Sequence, residues 1–299
     1  MTARPAQAGQ LWRGAKAEPV TPGLYLVATP IGNLRDISLR ALATLAGCQT
    51  VLAEDTRVSR KLLDHYAITT PLSPYHEHNA AQVRPGIIAR LQAGAALALI
   101  SDAGTPLISD PGYKLVTAAI EAGVAVVPIP GASALLAALT VAGLPADRFF
   151  FEGFLPPKSA ARRARIAAIA AIPGTLIFYE SPRRTAEALR DLAAVLGPRQ
   201  AVIARELTKH FETLRRGTLA SLAAELAGEA DPKGEIVLLV APPGAAAAAQ
   251  PADIDEALRE ALARLSVKDA AAVVSAQIGA PRREVYARAV ALAGRGGER

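Results

Sequence analysis

The sequence predicts an α/β protein of two domains followed by a small helical module. Three observations lead there. Apolar strand-like runs alternate with helical patterns over the first half, shorter and more mixed elements follow, and the last segment carries helical periodicity alone. At 299 residues, 51% hydrophobic and 20% charged, the chain is long enough to bury roughly two cores.

Residues 1–22 are polar and read as a mobile tail. The first domain, 23–146, begins with the strand "LYLVA" (24–28), a helix from Asp36 to Ala46, the strand "TVLAE" (50–54) and a helix from Ser59 to Tyr66. "YHEHN" (75–79) reads as a polar loop, and in "NAAQVRPGIIARL" Pro85 and Gly86 interrupt the expected helix. The strand "ALALI" (96–100), a helix after Pro111, the strand "VAVVP" (124–128) and the helix of "SALLAALTVAG" complete it. Such alternation predicts a mainly parallel sheet with right-handed crossovers.

The second domain, 147–241, runs through "RFFFEGF", a basic helix in "KSAARRARIAAIAAI", "TLIFYE", a helix from Arg183 to Leu196, "AVIARE", "FETLRRG" and "EIVLLV". Its shorter elements predict some antiparallel pairing. Residues 242–253, rich in Pro, Gly and Ala, read as a linker. The module 254–299 shows two or three helices around a Gly-Ala-Pro turn, an outline shared by helix-turn-helix units and by plain docking appendages.

Composition narrows the classes of function. The first twenty residues lack the apolar stretch of a secretory signal, and the single Cys48 permits no internal disulfide, so a cytoplasmic location is expected. The longest uncharged stretch, Ala122 to Ala146, is broken by Pro128, Pro130, Gly131 and Pro145, which disfavours a membrane span. A formal charge of +6 favours polyanionic partners such as RNA, although an Ala/Arg-rich composition gives the same balance. Neither a G-x-G-x-x-G nor a P-loop is present; "GFLPPKS" lacks the second glycine. There is no G-x-S-x-G elbow, and no metal is expected: His76 and His78, two apart, fit a polar loop or a substrate contact better.

In open parallel sheets ligands sit at the carboxyl ends of strands. Three such loops are alike: "TPIGN" (29–33), "SDAGTPLISDPG" (101–112) and "IPGASA" (129–134). Each combines proline, which fixes the backbone, with glycine, which lets a ligand approach the main chain. For one loop alone a tight turn is the simpler reading, but three on one sheet edge point to a ligand. Asp102 and Asp110 serve equally as caps of turns or helix starts.

Together "LYLVATPIGNLRDISLRAL", "AEDTRVSRKLLDHY", "ISDAGTPLISDPG", "PIPGASA", "FYESPRR", "ARELTKHFE" and "GEIVLLV" resemble the tetrapyrrole methylase superfamily, the class III methyltransferases. Within it the chain is similar to the members that methylate the ribose 2'-hydroxyl of a cytidine in the decoding centre of small-subunit (16S) ribosomal RNA. The resemblance runs from Leu24 to Val240 and extends to the C-terminal module. It implies two α/β domains with a cofactor cleft between them, a homodimer, and S-adenosylmethionine as cofactor. By motif, Pro30 and Gly32 would line the first loop, Ala103, Gly104, Thr105 and Ile108 the second, and Ser133 and Ala134 the third. Tyr179, Glu180 and Leu207 would close over the cofactor from the second domain. The implied partner is small-subunit ribosomal RNA or the assembled 30S subunit, with neither membrane nor DNA.

Methyl transfer to a ribose hydroxyl benefits from alignment and from a group that removes the proton. Glu54 and Asp55 end the strand "TVLAE" on the ligand edge, Asp55 as base or orienting group, with an ion pair to Arg57 as the structural alternative. His76 is the better base by its ordinary pKa near 6.5, on a less constrained loop. Arg57, Lys114, Arg183, Arg184 and Lys209 are candidates for RNA phosphates, as is the cluster Arg162, Arg163 and Arg165. Only 4% of residues are aromatic, so no broad base-stacking platform is expected. Two rivals stand beside this reading: a superfamily enzyme acting on a tetrapyrrole or a translation-factor residue, and a non-catalytic RNA-binding protein of ribosome assembly.

Overall fold

The computed structural model describes residues 18–227, 234–243, 251–278 and 282–295. The expected tail up to residue 17, the centre of the expected linker and the Gly-Ala-Pro turn lie outside the described residues.

The first sheet contains β1 (Gly23–Val27), β2 (Thr50–Ala53), β3 (Leu72–Pro74), β4 (Ala96–Ile100) and β5 (Val126–Ile129), in the order β3-β2-β4-β1-β5. Every pairing is parallel. β2 and β4 are buried along their whole length because helices cover both faces of the sheet, which is why they read as unbroken apolar runs. On one face α1 (Leu39–Gly47) and α2 (Thr56–His65) bury Leu42, Leu45, Leu62 and Leu63 against Tyr25, Val27, Val51 and Ala98. On the other, α3 (Glu77–Gln92) and α4 (Tyr113–Glu121) place Ile87, Leu91, Leu115 and Ala119 on Leu24, Leu52, Leu97 and Leu99.

Two differences from the sequence reading concern α3. "YHEHN" is the N-terminal start of α3 instead of a loop, with His76 at the N-cap, its backbone N–H donating to Asn79 Oδ1 at 2.9 Å. The helix also continues through Pro85. A proline inside a helix costs about 3 kcal/mol. Here Pro85 and Gly86 face solvent, while Ile87 and Leu91 beyond them are held in the core, and that packing offsets the lost hydrogen bond.

The second sheet contains β6 (Phe149–Phe154), β7 (Thr175–Glu180), β8 (Gln200–Arg205), β9 (Thr213–Thr218) and β10 (Ile236–Val240), in the order β6-β7-β10-β8-β9. β6 and β7 are parallel, and the remaining pairs are antiparallel. Its outer face is covered by α6 (Ser159–Ile169), α7 (Pro182–Leu196) and α8 (Leu219–Ala227), with Phe178, Leu189, Leu192 and Leu222 in the layer.

The inner face is covered by α5 (Ala134–Ala142), which begins where the third Pro/Gly loop of the first sheet ends. Leu135, Ala138, Leu139 and Ala142 pack on Ile177, Val202, Val237 and Leu239. This near-uniformly apolar helix therefore joins the two sheets and fixes the cleft between them. The C-terminal helices α9 (Pro251–Leu262), α10 (Val267–Ile278) and α11 (Arg282–Arg295) carry their own core of Ile254, Leu258, Val274 and Val285. Among the described residues no helix is long and apolar enough to cross a membrane.

Candidate active site

Strands β4, β1 and β5 are neighbours, so the three Pro/Gly loops that follow them emerge side by side. Thr29 and Gly104 join the first two by a β-bridge, and Thr105 Oγ1 donates to the Ala132 carbonyl at 3.1 Å to join the third. Gly104 has φ +84, and a Cβ there would lie 3.2 Å from Ile31 Cγ2. The position calls for a residue that tolerates the left-handed region and takes no space.

A cavity of about 450 Å³ opens between these loops and the second sheet, within the range of small-molecule sites. Ala103, Gly104, Thr105, Ile108, Ser133 and Ala134 line it from the first sheet. Tyr179, Glu180 and Leu207 line it from the second. Pro30 and Gly32 face instead an adjoining pocket of about 300 Å³, which shares Ile31, Asp102, Ala103 and Glu235 with the larger one. Gly32 gives way to the stem of Lys209, whose Cγ an added Cβ would meet.

The larger cavity is acidic. Glu54, Asp102, Asp110 and Glu180 line it. Burial pushes Asp110 up to about 6, reinforced by the charge of Glu54 and opposed by a hydrogen bond with Ser101. Burial also raises Glu54, with Asp102 adding to it and His76 opposing it. Glu180 is raised by burial, against a 2.8 Å hydrogen bond from the Ser181 N–H to Oε1 and the nearby Arg184. Its Oε2 is buried without a hydrogen-bond partner. Among the described residues no Lys or Arg lines the cavity, and its surplus of acceptors suits a cationic ligand and repels phosphates. Phe154 and Tyr179, with ring centroids 5.8 Å apart, form an aromatic wall.

Asp55 does not line the cavity. It caps α2, accepting from the Arg57 N–H at 2.8 Å, and its two oxygens also take a fork from Arg57 at 3.0 and 2.7 Å. The guanidinium holds its carboxyl below the usual carboxylate range, so it is a weak proton acceptor. This is the structural pair that the sequence left as the alternative. Its own N–H donates to Asp102 Oδ1 at 3.1 Å. His76 is likewise outside the cavity lining, at the start of α3.

The basic candidates divide. Arg57, Lys114 and Arg183 are exposed. Arg184 donates to the Leu155 carbonyl at 2.6 Å and Lys209 is held between Glu206 and Glu235, both at 2.8 Å, so each is engaged within the chain. The Arg162 cluster is not a surface track. Arg162 is 1% exposed and paired with Asp191 at 2.7 Å, Arg163 shares that carboxylate, and Arg165 is forked on Glu152. Spacing alone did not reveal which face of α6 is buried.

Asp110, Phe154 and Gly234 to Val237 escaped the sequence reading as site residues. Asp110 stands in the same loop as Asp102, and only the fold of that loop, with φ +73 at Leu107 and +64 at Ser109, turns it to the cavity.

Comparisons with known proteins agree with this architecture. The family model for tetrapyrrole (corrin/porphyrin) methylases matches residues 23–223, and the model for the RsmI C-terminal HTH domain matches 248–293. The chain is 54% identical over 283 residues to ribosomal RNA small subunit methyltransferase I of Mesorhizobium japonicum, covering 94% of this chain and 96% of that one. It is 49% identical to the protein of the same name from Pseudomonas aeruginosa, covering 91% and 98%. Among solved structures, diphthine synthase aligns with a TM-score of 0.57 at 16% identity, over 73% of this chain and 89% of that chain. A uroporphyrin-III C-methyltransferase from Thermus thermophilus, complexed with S-adenosyl homocysteine, aligns with a TM-score of 0.51 at 21% identity, over 73% and 96%. These two likenesses establish the fold.

Proposed function

The chain belongs to the tetrapyrrole methylase family, and from that premise we propose that it is an S-adenosylmethionine-dependent methyltransferase acting on the ribose 2'-hydroxyl of a cytidine in small-subunit (16S) ribosomal RNA. The observation that carries this reading is the acidic cavity between the three loops and the second sheet. Its size, its exposed backbone and the orphaned Glu180 oxygen fit a cationic nucleoside. The names of the full-length relatives supply the acceptor class.

When bound, the cofactor supplies an electrophilic methyl group on a sulfonium. The backbone of Ala103, Gly104 and Thr105, with Ser133 and Ala134, would hold it, while Asp110 and Glu180 would offset its positive charge. Phe154, Tyr179 and Leu207 exclude water, which strengthens those electrostatic contacts. Glu54, a cavity-lining carboxylate with a raised pKa, accepts the proton lost from the hydroxyl. Orientation in the cleft contributes the larger share of the acceleration.

The proposal includes a homodimer working on the assembled 30S subunit in the cytoplasm. Tyr113 and Ile120, two turns apart on α4, are 72% and 62% exposed, apolar groups that a second copy would cover. The test is to incubate the pure protein with labelled S-adenosylmethionine and undermethylated small subunits. Label recovered in 2'-O-methylcytidine supports the assignment, and none there overturns it.

A further inference from the structure

The smaller pocket beside the cofactor cavity has no assigned occupant. Its walls come from the first loop, from Leu34, from one side of α2, from Ser101 to Ala103 and from the Lys209–Glu235 ion pair. Three features distinguish it from a packing defect.

First, it adjoins the larger cavity through Ile31, Asp102 and Ala103. A methyl group passes in line only between reacting atoms about 3–3.5 Å apart, so an acceptor has to occupy the space immediately beside the cofactor cavity. Second, the pocket is amphipathic in a way that suits a nucleoside. Leu34 and Val58 are large apolar side chains left 38% and 40% exposed at its mouth, where they offer surface to the faces of a base. Deeper in, Ser59 is 3% exposed and its hydroxyl is buried with no hydrogen-bond partner. Such a group costs free energy unless something completes it. Third, Lys61 lines the pocket and is exposed on α2, and Arg35, next to the lining Leu34, is exposed on the 3₁₀ turn, positive charges of the kind that hold the phosphates on either side of an inserted nucleotide.

We propose that this pocket is the acceptor subsite, receiving one nucleoside of the RNA swung out of its stack. The base lies against Leu34, Val58 and Leu62, the Ser59 hydroxyl meets a polar edge of it, and the ribose faces Asp102 and Ala103 on the shared wall. At about 300 Å³ the pocket admits one nucleoside and no paired base, so the RNA must be single-stranded or opened at this position. The assignment rests on the methyltransferase reading above.

The experiment compares the wild-type chain with Val58→Trp, which fills the pocket from its rim, and Ser59→Ala, which removes the hydroxyl. Cofactor affinity is measured by calorimetry and methyl transfer with undermethylated small subunits. Val58→Trp is expected to bind S-adenosylmethionine within twofold of wild type and to lose methyl transfer at least a hundredfold. Ser59→Ala is expected to lower kcat/KM for the subunit about tenfold with cofactor affinity and Tm unchanged. If Val58→Trp does not melt cooperatively, Leu34→Trp on the opposite wall makes the same test. A folded, cofactor-binding Trp variant that methylates at the wild-type rate overturns the subsite alone. Absence of ribose label with the wild-type chain overturns the methyltransferase reading and the subsite with it.

Discussion

Thr29 and Gly104 exchange both of their backbone hydrogen bonds, Thr29 N–H to the Gly104 carbonyl at 2.9 Å and Gly104 N–H to the Thr29 carbonyl at 3.0 Å. Residues 75 apart in the chain are thereby paired where β1 and β4 have already ended. The loops of two adjacent parallel strands become one rigid wall of the cavity, and Thr29 Oγ1 adds a 3.1 Å bond to the Ser101 carbonyl.

Gly104→Val strains this wall twice, by its φ of +84 and by the 3.2 Å approach of its Cβ to Ile31. The expected outcome is a loss of S-adenosylmethionine affinity of at least tenfold by calorimetry, together with about 1 kcal/mol of stability by urea unfolding. Ser133→Trp, which intrudes from the third loop, is expected to lose cofactor affinity to a similar degree.

Asp110 sets a pH dependence. Its pKa rises from 3.8 to about 6 in the folded chain because burial disfavours the carboxylate. Below pH 4 both states hold the proton and no penalty arises; as pH rises toward 6 the unfolded chain ionises first, so this contribution to stability is lost across that window. Asp110→Asn should flatten the decline in denaturant midpoint between pH 4 and 6. Cofactor affinity should change in the opposite sense, rising through about pH 6 as the carboxylate ionises beside a cation, and the same variant should remove most of that rise. An unchanged affinity profile in Asp110→Asn would show that the carboxylate does not face the cofactor.

Asp55→Asn separates the two interactions of that side chain. Asparagine preserves the cap of α2 but gives up the charged fork with Arg57. Turnover close to wild type is expected, whereas Glu54→Gln should lower kcat by roughly 10²-fold with cofactor affinity little changed. A hundredfold loss in a stably folded Asp55→Asn would instead move the proton acceptor to Asp55.

Arg162 and Asp191 predict a stability effect far from the chemistry. Removing the carboxylate with Asp191→Ala leaves a guanidinium that is 1% exposed without its nearest partner and also removes the acceptor of Ser159 Oγ at 2.9 Å. A loss of about 3–5 kcal/mol in urea unfolding is expected. The double variant Arg162→Met with Asp191→Leu should recover most of it, since an apolar pair of similar volume carries no desolvation cost.

The strand–helix alternation of the first half, the three Pro/Gly loops and the antiparallel character of the second sheet were legible in the sequence, because each follows from local periodicity and backbone preference. Cavity-lining positions such as Gly104, Ser133 and Tyr179 were legible through motif resemblance. Other features required contacts remote in sequence. Helix α3 runs through Pro85 because Ile87 and Leu91 are anchored on Leu97 and Leu99, a gain no local rule contains. Arg162 is interior because α6 turns that side chain onto Asp191 of α7, while the neighbouring Arg163 and Arg165 stay at the surface. The carboxylates "AED" are adjacent in the chain, yet Glu54 faces the cavity and Asp55 caps a helix. Sequence determined most of the elements and pointed to the sheet edge whose loops line the cavity. Tertiary structure decided which charges are engaged, buried or available, because the free energy of a charge depends on what is packed around it in three dimensions.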